Sequence, residues 1–104
     1  MYARGAKHTF ANEMMKESVT AFMIQNFDLK HGMMMSFKIH LSENQILHIG
    51  VFPDEDTANK AGKMVEPARK QITEMGAKTE MVSGPLTDFM VAGDVTLAQL
   101  TAGR

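Results

Sequence analysis

Between residues 33 and 52 the chain alternates apolar and polar side chains along two short runs, and no other stretch limits the fold as much. In Met33-Met34-Met35-Ser36-Phe37-Lys38-Ile39-His40-Leu41 every odd position is apolar, and Leu47, Ile49 and Val51 repeat the pattern in Gln45-Ile46-Leu47-His48-Ile49-Gly50-Val51-Phe52. A period of two is the signature of a strand with one face buried. A three-residue turn at Glu43-Asn44-Gln45 pairs Leu41 with Leu47 and Ile39 with Ile49, which gathers the apolar set on one face. A two-residue turn shifts the pairing by one and splits that set. The opposite face is then mixed: Met34, Ser36, Lys38, His40, Ile46, His48, Gly50 and Phe52.

The remaining elements follow from caps and periodicity. Residues 1–10 alternate weakly and read as a first strand. Asn12 is a good N-cap with Glu13 behind it, and Met15, Val19, Phe22, Met23 and Phe27 recur at helical spacing up to about Asn26. Asp54 caps a second helix with Glu55 and Asp56 in its first turn. Ala58, Ala61, Val65, Ala68, Ile72 and Met75 face one way along it. Pro67 requires a kink or a restart with Pro67 as first helical residue, and Gly76 is a helix stop. A last strand is expected over residues 78–83, with Phe89-Met90-Val91 continuing the sheet and Asp94 capping a short turn through Leu97 and Leu100.

The order is β-α-β-β-α-β. That is an α+β chain of ferredoxin-like type, a four-stranded antiparallel sheet with two helices on one face. Residues 1–91 form one such domain and residues 92–104 a C-terminal tail. The mixed face, with Phe52, Ile46 and Met34, is expected to be the bare one. A bare face with an apolar patch asks for a partner, and a homodimer joined through the open sheet face is the economical solution.

Composition narrows the function by exclusion. At 104 residues there is room for one core. A net charge of -1 gives no electrostatic footprint for nucleic acid. No apolar run reaches the roughly 18 residues of a membrane span, and no signal peptide is visible. The chain has no cysteine, so disulfides and thiol chemistry are out; a cytoplasmic location is expected. The 11 methionines fill irregular apolar space or line an adaptable ligand cavity. Soft-metal binding by thioethers has no Met-x-x-Met ladder to support it.

Two segments, Met1-Tyr2-Ala3-Arg4 and Leu47-His48-Ile49-Gly50-Val51-Phe52-Pro53-Asp54-Glu55-Asp56 followed by Thr57-Ala58-Asn59-Lys60-Ala61, carry a resemblance. The chain resembles the antibiotic biosynthesis monooxygenase-like family of the dimeric α/β-barrel superfamily over about residues 1–91. The resemblance implies a dimeric barrel and a cavity between sheet and helices. In one branch of the family that cavity serves cofactor-free oxidation of polycyclic aromatics. Phe52 stands where the family often has Trp. The haem-degrading branch uses an Asn, a Trp and a helical His; this chain has no Trp and no His in its second helix, so haem degradation is not implied.

The candidate ligand-binding residues are His40, His48, Lys38 and Phe52. In the three-residue-turn register His40 and His48 face each other across the hairpin, with His8 nearby if it shares their face. Two histidines without a carboxylate make a poor zinc site, so neither a metal nor another cofactor is expected. Lys38 and Arg4 can hold an anionic substrate if they line one cavity. Tyr2 can donate a hydrogen bond to a bound oxygen, against plain packing. Lys60, Lys63 and Lys70 read as a solvated helix face. Ser36 and Ser83 show no partnership with a histidine and an acid, and Gly-rich phosphate motifs are absent. The expected function is a small dimeric binding or stress-associated module. The alternative is a cofactor-independent monooxygenase acting on an aromatic or quinone-like molecule, and a metal-binding protein built on His40 and His48 comes third.

Overall fold

A computed structural model of the chain describes residues 1–101. The elements are β1 (Tyr2–Thr9), α1 (Glu13–Asn26), β2 (Met35–Ser42), β3 (Gln45–Phe52), α2 (Glu55–Met64), α3 (Glu66–Glu74), β4 (Lys78–Pro85) and a short α4 (Leu97–Thr101). The sheet is antiparallel in the order β2-β3-β1-β4, the ferredoxin-like arrangement expected from the sequence.

The helices start where the chain supplies caps. Asn12 accepts from the Met15 amide at 2.9 Å and Asp54 from the Thr57 amide at 2.7 Å, so each satisfies one orphan donor of its first turn. Pro67 forces a restart: α2 ends at Met64 and α3 opens at Glu66 with the proline in its first turn. In the described part of the tail, Thr96 and Gln99 form a reciprocal capping box, the Gln99 amide donating to Thr96 Oγ1 and the Thr96 amide to Gln99 Oε1. The cap is therefore Thr96 and not Asp94. Residues 102–104 of the tail lie outside the described residues.

Phe89-Met90-Val91 do not continue the sheet. β1 begins at Tyr2, which pairs with Pro85, and a single bond from the Leu86 amide to the Met1 carbonyl ends the ladder. Among the described residues, 86–91 form no strand.

The hairpin departs from expectation in a way that matters for the site. Its turn has two residues, Glu43 and Asn44, with Ser42 paired to Gln45, and a bulge between His40 and Ser42 absorbs Leu41. The bulge restores the parity that the short turn would have destroyed. Ile39 therefore faces Leu47, Lys38 faces His48 and His40 faces Ile46. His40 and His48 are not opposite each other. Tertiary contacts fix the short turn. Asn44 donates through Nδ2 to the Phe10 carbonyl at 3.0 Å, and its own carbonyl accepts from the Phe10 amide at 2.8 Å. Lys16, buried on α1, donates to the Ser42 carbonyl at 3.0 Å.

The faces are also reversed. The mixed set turns inward under the helices, and the apolar set is left open. Inside, Ile46 packs with Phe10, Val19, Met23, Ile72 and Ala77, and Phe52 with Ala58 and Ala61. Outside, Met35, Phe37, Ile39 and Leu41 on β2 and Val82 on β4 are each more than a third exposed. Half-buried Leu47 and Ile49 lie between them, with the Lys7–Glu80 pair in the same cross-strand row as Leu47. The buried polar residues are tolerated because they meet partners: Lys38 and His48 meet Asp28 of the α1–β2 connection, and His8 meets Thr79 of β4.

β1 and β3 run so close at Gly5 that a Cβ placed there would sit 1.8 Å from the His48 carbonyl oxygen. Gly5→Ala is expected to cost about 3 kcal/mol, at the upper end of overpacking penalties. Gly93→Ala, which meets nothing within 4 Å, should stay within about 0.5 kcal/mol of wild type. Urea unfolding followed by circular dichroism checks both.

Candidate functional site

The inward side chains of the sheet form cross-strand rows. Lys38, His48, Ala6 and Met81 make one; His40, Ile46, His8 and Thr79 make the next; Ser36, Gly50, Arg4 and Ser83 make a third. The helices and the α1–β2 connection roof these rows. Beneath that roof lies a cavity of about 80 Å³. Phe27, Met33, Phe52, Ala58, Ala61 and Val65 give it apolar walls, and His8 and His48 share its floor.

The connection carries the site's one buried acid. Asp28 reaches under the roof to Lys38 Nζ, with which it forms a close ion pair, and its Oδ1 lies 3.0 Å from His48 Nε2. All three side chains are almost wholly withdrawn from water. Burial alone would raise the Asp28 carboxyl, but the contacts with His48 and Lys38 outweigh it and hold the group down at about 2. Asp28 is thus an anion at neutral pH. An ionised carboxylate only accepts, so it favours a ring N–H on the side of His48 that faces it. Oδ1 is buried and makes no well-aligned hydrogen bond among the described residues, so it keeps capacity for a further donor.

Ser36 does join a histidine and an acid, contrary to expectation: its Oγ lies 3.5 Å from His48 Nε2. The same nitrogen faces Asp28, however, whereas a serine relay needs acid and hydroxyl on opposite ring nitrogens. The cluster cannot run that chemistry.

His8 is buried beside Phe10, with Nδ1 2.9 Å from Thr79 Oγ1. Burial, reinforced by the charge of nearby His48, pulls it down to about 4, so it is a neutral hydrogen-bonding imidazole at pH 7. The His48 ring stacks against Phe27, centroids 6.5 Å apart.

Of the four candidate residues, the structure brings His48 and Phe52 to the cavity wall. It places Lys38 next to His48 but commits its ammonium to Asp28, so Lys38 does not join Arg4 in holding an anion. His40 is exposed and takes no part in the cavity. Tyr2 packs against the Phe52 cluster. His8, expected near His48 only if it shared its face, does share it; Asp28 and Arg69 are additional members that sequence reasoning did not select. The signal for His8 was its parity with Arg4 and Ala6 on β1; Asp28 lay in a stretch read only as a connection. Among the described residues no three His, Cys, Asp or Glu side chains converge to hold a metal, and no helix is long and apolar enough to cross a membrane.

No protein-family model matches the chain, and no curated protein sequence matches it. Solved structures do. A dimeric ferredoxin-like protein from an uncultured marine organism is 8% identical, with TM-score 0.67 over 88% of this chain and 99% of that one. A candidate antibiotic biosynthesis monooxygenase from Deinococcus radiodurans is also 8% identical, with TM-score 0.70 over 88% of this chain and 97% of that one. SnoaB, a cofactor-independent oxygenase from Streptomyces nogalater, is 17% identical, with TM-score 0.64 over 89% and 97%. This chain shares their ferredoxin-like fold. The resemblance to the antibiotic biosynthesis monooxygenase-like family thus extends from the two sequence segments to the fold of nearly the whole chain.

The two shifted groups give a signed pH dependence. His8 binds a proton near 6.5 when unfolded and near 4 when folded, so unfolding takes up a proton between those values and stability rises with pH across that window. At about 1.4 kcal/mol per unit the gain is of the order of 3 kcal/mol. Asp28 acts lower down: its contribution is complete above its unfolded value of 3.8 and is lost as pH falls towards about 2. Denaturant titrations at pH 4, 5, 6 and 7 should show the rise in wild type. In His8→Asn, whose amide can replace the bond to Thr79, the rise should largely flatten.

Proposed function

We propose that this chain is a dimeric binding protein that holds an apolar small molecule between its sheet and its helices. The apolar cavity floored by His8 and His48 carries the reading. A core with no ligand to hold has little reason to leave that space or to bury an Asp28–Lys38–His48 cluster beside it, since burying charge is costly unless it is matched. At about 80 Å³ the cavity is below the roughly 150 Å³ in which an engineered core cavity takes up benzene. A slender molecule suits it better than a polycyclic one.

The dimer reading is supported by the open sheet face, whose row of Met35, Phe37, Ile39 and Leu41 is the kind of contiguous apolar patch that marks an interface. The dimeric ferredoxin-like neighbour from the marine organism supports it too. A second copy seated face to face would also close the fold into a barrel without exposing either patch.

A second reading has one observation in its favour. His48, oriented by Asp28 and bordering the cavity, could take a proton from a phenol-like or quinol-like molecule, and SnoaB, a structural neighbour, is a cofactor-independent oxygenase. On the binding reading, oxygen uptake with anthrone-type or quinol compounds stays at the background rate. Uptake that His48→Gln abolishes would establish the enzyme instead.

Native mass spectrometry of gently purified protein is expected to give a dimer retaining a small organic molecule. Ile39→Asp, within the β2 apolar row of the open face, is expected to give a folded monomer by sedimentation equilibrium at micromolar concentration. A dimer that survives this change would place the interface elsewhere.

A further inference from the structure

The inner cavity shares Arg4, Gly62, Arg69 and Met81 as lining with an adjoining outer cleft of about 460 Å³. Its charged lining is Arg4 from β1, Lys63 from α2, and Glu66, Arg69 and Lys70 from α3. That is four cations against one acid, and none of the ion pairs among the described residues uses any of the five. A concave surface of one sign with low-dielectric walls concentrates anions.

The two guanidiniums are held in place. Arg4 Nη2 donates to Asn59 Oδ1 at 2.8 Å, and Arg69 Nη2 donates to the Gly62 carbonyl at 2.7 Å. The Arg4 guanidinium also sits over the Tyr2 ring, 5.6 Å from its centroid. Each arginine has five N–H groups, so both keep donors beyond these bonds.

Gly62 lies inside α2, where glycine is among the poorest helix formers. Its backbone is not in the left-handed region, so no conformational need explains it. What its missing side chain leaves open is the space between the arginines: a Cβ there would lie 3.5 Å from Arg4 Nη1 and 3.8 Å from Arg69 Nη2. Both nitrogens thus lie within 4 Å of one point above Gly62, close enough for a single carboxylate lying over the glycine to accept from each at about 2.8 Å.

We propose that a carboxylate sits in this gap, bridging Arg4 and Arg69, and that the ligand of the inner cavity is a carboxylic acid with a slender apolar tail. The inference rests on the binding reading above and adds the chemistry of the head group. Lys63 and Lys70 attract the acid to the cleft; the arginines fix it; the tail passes Gly62 and Met81 towards Phe27 and Phe52.

Hexanoate and hexan-1-ol, matched in tail and different in head, are the probes, with binding followed by NMR titration of the whole protein. Wild type is expected to bind hexanoate at least tenfold tighter than hexanol. Gly62→Ala and Arg4→Gln are each expected to weaken hexanoate at least tenfold and hexanol much less, so that the preference for the acid over the alcohol is lost. Gly62→Ala should also melt at or above the wild-type temperature, because alanine suits a helix better, which separates loss of the site from loss of the fold. Hexanoate binding unaffected by either variant, or displaced by an equal concentration of inorganic phosphate, would overturn the carboxylate site, and retained hexanol binding would leave the cavity reading standing. Binding of neither probe would overturn both.

Discussion

The constraint on which the rest of the structure depends is parity along the β2–β3 hairpin. A strand offers alternate residues to opposite faces, so one inserted or deleted residue exchanges the faces for its whole length. The chain uses a two-residue turn and then spends one residue, Leu41, on a bulge. With parity restored, Ser36, Lys38, Ile46, His48 and Phe52 all point under the helices. Without the bulge, Lys38 and His48 would lie on opposite faces and Asp28 could not meet both.

That arrangement puts ionisable groups where a core would ordinarily be apolar. The inner layer divides in two as a result. Towards α1 and α3, Ile46, Val19, Met23 and Ile72 pack as ordinary hydrophobic core. Towards α2, the small side chains of Ala58 and Ala61 leave room beside Phe52, and the polar row of the sheet borders that room. Stability and site are built from opposite ends of the same sheet face.

The legible parts of the sequence were the local ones. Asn12, Asp54 and Pro67 act within their own helical turns, and the helix starts and the break between α2 and α3 followed from them. β3 was readable from its alternation alone. The register was not, because the turn is fixed by Asn44 bonding to Phe10 and by Lys16 bonding to Ser42, contacts between segments about 30 residues apart. Nor was the choice of inward face. A strand with one apolar and one mixed face normally buries the apolar one, whereas here the mixed face is buried and the apolar one left open. The site showed the same division. His48 and Phe52 were visible as residues of one strand, whereas Asp28 and Arg69 acquire meaning only from the strands and helices that fold against them. Lys63 and Lys70, read as solvated surface, turn out to flank the outer cleft.

The tether at Asp28 also bears on what holds the roof of the cavity in place. Its carboxylate is withdrawn from water together with Lys38 and His48, which lie on two different strands. An unpaired carboxylate is expensive to desolvate, so the observed placement of the connection after α1 depends on β2 and β3 presenting both partners. Two residues of that connection, Leu29 and His31, are held at positive φ, 58° and 56°, which side-chain-bearing residues resist. Local preference therefore works against this loop conformation, and the contacts of Asp28 with Lys38 and His48 help to offset it. The roof over the cavity is thus coupled to the hairpin beneath it: what loosens the pairing of β2 and β3 also releases the loop.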